Sequence, residues 1–420
     1  DVVGQTLASG EWPDVILLNS AYYSGYAEEG ALWDMTDYWE NSELKASGRI
    51  NNEEIIDGLY MNGKLYGLSP FRGNGCVTYV KKTWLDNVGM NVPTTYDEYI
   101  KMLDVFTTGD PDKNGKDGDT YGVSSAGIIG EEEPYVNYLP EFYQDAYPSF
   151  YKNADGQWVD GFTEEPMKKA LERLKSAYAK GYIDKESLTN GTSDCRNKFY
   201  EDKFGVFTYW AGTWATNLKM NLDANELPSD LIPLEPIKEV GAYLERQAPV
   251  WCITSKAENP EGIAKYFMLD GGELQQLWTY GAEGTHWSTK AEEVCGNKYE
   301  EGQFHGLENL EKPGTQYAKN HIDPLLSIGN FSEFEDPGAK EVAKETRESQ
   351  ELFNSHSRLV DLVPSTDVMS QYNGDLMTLK REVIANVVTQ GISIEDEMKR
   401  FEEEGGADWS KAIVDSMNAQ

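Results

Sequence analysis

The stretch V-F-T-Y-W-A-G-T-W-A-T-N-L, Val206 to Leu218, decides how the chain is read. Residues 205–208 are a short apolar run of strand type and residues 209–212 a turn. Thr213 is placed to cap a helix starting at Trp214. Tyr209, Trp210 and Trp214 thus fall where a strand ends and a helix begins, the edge at which open α/β sheets collect ligands. One reading is plain core packing of these aromatics. The other is a stacking platform for the apolar face of a sugar, and the rest of the chain favours it.

A chain of 420 residues is too long for one small core, so two lobes are the default. With 39% hydrophobic and 12% aromatic residues it is a folded chain, not a disordered one. Its formal net charge of −35 argues against nucleic acid or anionic lipid as a partner and fits a neutral or cationic ligand. No run of about 18 apolar residues is present to span a membrane. Residues 1–10 read as the end of a helix already under way, so an upstream strand, secretion signal or lipid anchor is expected to precede them. Cys76, Cys195, Cys252 and Cys295 are widely spaced, which indicates neither a zinc site nor a disulfide framework. They read as small buried or partly buried thiols.

Working outward, residues 15–18 read as a buried strand, and Asn62-Gly63 as a type I′ hairpin turn. Residues 76–80, 121–125 and 248–254 also read as strands. Helices are expected over 82–88, from a Thr95/Glu98 capping box onward, over 164–180, 194–200, 259–268, 273–280, 339–353 and 368–390. A final helix runs from a Ser393 cap through Phe401. Strands alternating with helices give an α/β class. Residues 130–160, rich in Tyr, Pro and Glu, show no period that assigns them.

The most specific motif is D-P-D-K-N-G-K-D-G-D, Asp110 to Asp119. Oxygen side chains at loop positions 1, 3 and 5 (Asp110, Asp112, Asn114) followed by Gly115 at 6 are a calcium-loop pattern. Lys116 would contribute its backbone carbonyl. Gly118 replaces the later acid, with Asp119 beside it, and no Glu closes the loop. A structural calcium ion is expected here; the alternative is an acidic surface turn without metal.

Several segments occur in one order: Tyr26–Asp34, Met61–Gly67, Pro93–Glu98, Phe204–Thr208 with Trp210 and Trp214, and Asn259–Lys265. That order resembles the extracellular solute-binding proteins of ABC importers, of the maltose-binding-protein type. Residues 280–287 and 405–409 are similar to the large lipoprotein branch of Gram-positive bacteria. The resemblance implies a two-lobe type II periplasmic-binding-protein fold with a hinge and an interlobe cleft. Lobe 1 is expected over 1–120 and 251–360, lobe 2 over 121–250 and 361–420. Hinge crossings are placed near 121–124, 249–253 and 359–364. Closure would be a population shift driven by the ligand.

The candidate ligand surface comprises Tyr22, Tyr23, Arg72, Asn74, Tyr209, Trp210, Trp214, Trp251, Glu283 and Trp287, with Tyr372 a weaker addition. Aromatic faces cover the C–H patches of sugars, and Arg, Asn and Glu bond their hydroxyls. The expected function is capture of an oligosaccharide by a monomeric, lipid-anchored extracellular subunit that hands it to a membrane permease and performs no chemistry. A peptide- or polyamine-binding protein of the same fold is the alternative, and a glycoside-active enzyme a further one. No G-x-S-x-G, H-E-x-x-H or phosphate-binding glycine loop is present. Carboxylate pairs among 72 acidic residues decide nothing.

Overall fold

The computed structural model describes residues 2–47, 56–69, 73–128, 138–269, 280–307 and 343–419. The chain divides into two compact units, Asp1–Gly73 with Gln247–Glu341, and Asn74–Arg246 with Val342–Gln420. The strand Tyr121–Val123, where the sequence suggests a first crossing, lies inside the second unit. It pairs there with Phe204–Trp210, so residues 74–120 belong with 121–246 and not with 1–73. No helix among the described residues is long and apolar enough to cross a membrane.

The first unit is built on a three-stranded antiparallel sheet in the order Val15–Leu18, Val250–Ile253, Gly67–Leu68. Gly67 permits the last pairing, since a Cβ there would lie 2.6 Å from Val250 and 2.7 Å from the Cys252 sulfur. Ile16 and Leu18 are buried, but Leu17 is 46% exposed, so this strand buries one face only. Asn62 and Gly63 take φ of 50° and 75°, the type I′ geometry read from the sequence, although only a single Met61–Lys64 bridge follows. Asn259 caps Pro260–Ile263 by accepting from the Gly262 N–H, and this short helix continues as a π-helix over Ala264–Met268. Two small antiparallel pairs follow, Trp287–Ser288 with His305–Gly306 and Glu292–Val294 with Asn297–Tyr299. Cys295, at the turn of the second pair, is exposed, while Cys76, Cys195 and Cys252 are buried, and none of the four is in a disulfide among the described residues.

The second unit holds a four-stranded sheet in the order Tyr121–Val123, Phe204–Trp210, Cys76–Lys81, Leu231–Pro233. Cys76–Lys81 is buried at every position. Its alternate side chains feed two cores: Val77 and Tyr79 join Phe199, Phe204, Phe207, Leu218 and Phe353, while Val80 joins Trp84, Leu103, Phe106, Leu171 and Val383. The sheet is therefore a middle layer covered on both faces, which is why its strands read as continuous apolar runs. Gly205 is required where Trp84 and Phe106 press on the strand; a Cβ would sit 2.5 Å from Trp84.

The helices form for the reasons their sequences give. Thr95 caps Tyr96–Thr108 by accepting from the Glu98 N–H, and the Glu98 carboxylate reaches back to accept from the Thr94 N–H and hydroxyl at 2.8 Å. Glu165–Ala179 buries Met167, Leu171 and Leu174 on one stripe. Thr366 caps Asp367–Gln390 and Ser393 caps Ile394–Glu403. A further helix, Gly406–Asn418, follows where the sequence reading stops at Phe401. Lys380 of the long helix is buried and pairs at 2.7 Å with Asp160, whose other oxygen accepts from Ser410, tying three segments together.

Candidate functional site

In the second unit the strand Phe204–Trp210 runs into Ala211-Gly212, and the helix Thr213–Ala224 starts there. Gly212, at φ 74°, is the N-cap, and Thr213 is the first helical residue, which corrects the expected Thr213 cap. The turn is held from behind: the Ala211 N–H donates to the Gly75 carbonyl and the Gly212 N–H to Ser349.

This turn sets the aromatics apart from one another. Tyr209 is buried, stacked on Phe207 at 4.8 Å, with its hydroxyl accepting from Arg196 at 2.8 Å. It is a core residue, and it supports Trp214 edge-to-face at 5.0 Å. Trp210 and Trp214 are both half-buried. Each carries a guanidinium on its ring: Arg246 lies 4.3 Å from the Trp210 centroid and Arg196 5.1 Å from that of Trp214. The open faces expected for sugar stacking are thus partly taken by arginine. Trp210 also packs on a cluster of Tyr138, Tyr147, Leu244 and Tyr151. Asn74 joins this group, donating to the Ala211 carbonyl at 3.4 Å while its buried Oδ1 has no partner among the described residues. A buried acceptor of that kind invites a donor, such as a hydroxyl, from outside the protein.

The first unit holds the other candidates. Trp251 is half-buried in the middle strand, in register with Leu17 and Leu68. Tyr22 is 48% exposed and stacks with Tyr26 at 6.3 Å. Tyr23 is not a surface residue: it is wholly buried, its hydroxyl donates to the Leu59 carbonyl at 2.9 Å and accepts from the Tyr66 N–H, and burial pushes the phenol far up. Trp287 is half-buried, bonded through Nε1 to the Gly281 carbonyl at 2.8 Å and packed edge-to-face on Phe304. Glu283 is exposed and bridges to Trp287 along the backbone. Arg72 lies outside the described residues, as do all but the last residue of the expected helix over 273–280. Tyr372 stacks on Trp409 at 6.4 Å within the second unit's helices, a packing role.

The acidic loop has the backbone the sequence calls for, with Gly115 at φ 86°. The Gly115 N–H donates to Asp110, whose buried Oδ1 has no partner among the described residues. The Asn114 amide donates to both Asp112 at 2.7 Å and Asp119 at 3.0 Å. Burial, followed by the adjoining Asp110 carboxyl and the charges of Asp119 and Asp202, pushes the Asp112 carboxyl up. Among the described residues, no three His, Cys, Asp or Glu side chains form a group that could hold a metal. Any ion here would depend on Asn114 and a backbone carbonyl as well.

Arg196, Arg246, Tyr147 and Tyr151 escape a reading of the sequence. The arginines have no local motif to mark them, and the tyrosines lie in the unassigned 130–160 segment.

The strand-to-helix turn of the second unit thus presents two half-buried tryptophans. The profile of the bacterial extracellular solute-binding protein family matches residues 3–268, more than half of the chain, and the chain belongs to that family. It is similar to the polygalacturonan/rhamnogalacturonan-binding protein YtcQ of Bacillus subtilis, 24% identical over 375 residues, covering 83% of this chain and 71% of that one. It is 28% identical over 235 residues to Lipoprotein LipO of the same organism, covering 54% of this chain and about half, 45%, of that one. Among solved structures, an HMO-binding ABC-transporter-associated solute-binding protein from Bifidobacterium longum infantis matches with TM-score 0.62 at 16% identity, over 99% of this chain and 89% of that one. An EF-hand mutant of the substrate-binding protein FusA of Streptococcus pneumoniae, in complex with fructo-nystose, matches with TM-score 0.58 at 16% identity, over 98% and 89%. At such identities the likeness establishes the fold, that of the two-lobe type II solute-binding proteins.

Proposed function

We propose that this protein is the extracellular capture subunit of an ABC importer and that its ligand is an oligosaccharide. The carrying observation is the group at the 204–214 turn: half-buried Trp210 and Trp214, guanidiniums beside them, and the unpartnered Asn74 Oδ1. Rings, fixed donors and an orphaned acceptor together suit a polyhydroxylated ligand. The names of YtcQ and of the fructo-nystose complex support the same class. A polyamine fits less well, because Arg196 and Arg246 would meet it with like charge. The subunit performs no chemistry of its own in this reading, acts as a monomer, and is held at the cell surface by a lipid anchor, which the likeness to LipO supports.

We also infer a structural role for the Asp110–Asp119 loop as a calcium site. Asp110, Asp112, Asn114, Asp119 and the Lys116 carbonyl would hold the ion, and the orphaned Asp110 Oδ1 supports this reading. Bound calcium would neutralise carboxylates that now repel one another. The FusA EF-hand mutant points to such a loop in a relative.

Tryptophan fluorescence titrated with oligosaccharides, diamines and peptides tests the function. A saturable response to oligosaccharides alone is the expected result. Saturation by diamines or peptides alone refutes it, and release of reducing ends from a bound glycan would make the protein an enzyme.

A further inference from the structure

Two arginines of the second unit bear on which ligand the aromatic surface would accept. The chain carries 72 acidic and 37 Lys or Arg residues, and some of the cations are matched by carboxylates. Lys198 pairs with Asp184 and Glu186, Lys380 with Asp160, and Arg400 with three glutamates. Arg400 is the one arginine among the described residues that pairs with a carboxylate; Arg246 and Arg358 do not, and neither do Arg173, Arg196, Arg347 and Arg381, so what sets Arg246 apart is its ring stack and its free N–H groups.

Both border one aromatic surface. Arg246 is half-buried, with its guanidinium 4.3 Å from the centroid of Trp210. Arg358 is exposed and in parallel register with Leu244, two residues before Arg246. It lines a shallow groove with Tyr138, Tyr147 and Leu244, the cluster against which Trp210 packs.

A purely structural stack would look different. Arg173 also lies over a ring, that of Tyr96, but its Nε donates to the Phe142 carbonyl at 2.6 Å and its Nη2 to the Tyr143 carbonyl at 3.2 Å. Arg246 is held in place by Trp210 with no such acceptors on its N–H groups among the described residues. A planar fork fixed on an indole with its donors free is prepared for a bidentate anion.

Resting on the oligosaccharide reading, we propose that the ligand is a carboxylate-bearing glycan of the uronate class, received by Arg246 on the Trp210 ring and by Arg358 at the groove. The −35 net charge opposes an anion at long range but is screened beyond about 8 Å at physiological ionic strength, which leaves the local arginines to decide.

Isothermal titration of the full chain with short oligogalacturonates, and with the same oligomers methyl-esterified at every carboxyl, tests this. The acid form is expected to bind at least about tenfold tighter than the ester, the scale of a charge-assisted hydrogen-bond pair. Arg246→Gln should erase that preference. Arg358→Gln, at an exposed position that does not threaten folding, should reduce it. Equal or tighter binding of the ester by the unaltered chain overturns the inference and leaves the oligosaccharide reading standing. Failure of every glycan, acidic and neutral, overturns both.

Discussion

Glu141 offers the sharpest test of the energetics beneath the site. It sits in the single turn Pro140–Tyr143 and is 1% exposed. One oxygen accepts from Thr78 at 2.7 Å, and Thr78 contacts Thr208 on the neighbouring strand at 3.0 Å. The other oxygen is buried with no hydrogen bond of ordinary length among the described residues, and the Tyr99 hydroxyl acts on the carboxyl from nearby. Burial pushes the carboxyl from 4.5 up to about 7. An acid raised in the folded state holds its proton there after the unfolded chain has released it. The stability contributed by this one carboxyl is therefore full below about pH 4.5, falls as pH rises to about 7, and stays reduced above. That rise corresponds to roughly 3 kcal/mol. Glu141→Gln keeps the shape and the acceptor for Thr78 but cannot ionise. Its stability should match the parent near pH 5 and exceed it by roughly 2–3 kcal/mol at pH 8. Urea unfolding of both proteins at the two pH values measures this. An equal difference at both, or a less stable variant at pH 8, refutes the reasoning.

Other perturbations have defined outcomes. Gly205→Ala places a methyl against Trp84 and Phe106 and should destabilise by about 1–3 kcal/mol in the same urea assay. Lys380→Met strands the buried Asp160 carboxylate and should cost about 3–5 kcal/mol, much of it recovered when Asp160→Asn is added. Calcium should raise the melting temperature of the chelator-treated protein, and Asp112→Asn should abolish that rise; no shift in the parent removes the calcium reading. Trp214→Ala should weaken oligosaccharide binding by about tenfold, read by calorimetry, with a far smaller effect on melting than a change at buried Tyr209.

Much of the fold is legible because local chemistry and tertiary environment agree. The stripe of Met167, Leu171 and Leu174, the Thr95 and Ser393 caps and the Asn62-Gly63 turn each specify one geometry from neighbouring residues. The helix Gly406–Asn418 is hidden behind two glycines that read as a stop. Gly405 turns the chain at φ 94°, and Gly406 lets it pass the Phe401 ring, where a Cβ would lie 2.4 Å away. At the site, Tyr22 and Tyr23 are adjacent and chemically alike, so only the phase of their helix sends one outward and the other onto Leu59. Arg246 is illegible for a different reason: its partner Trp210 lies on another strand, and nothing in either local sequence records that stack.

The most direct measurement is a crystal structure of the full chain with a bound oligosaccharide. The expected result is glycan density against Trp210 and Trp214, with a hydroxyl donating to Asn74 Oδ1. Density seated elsewhere, with these tryptophans and Asn74 left untouched, would contradict the central claim.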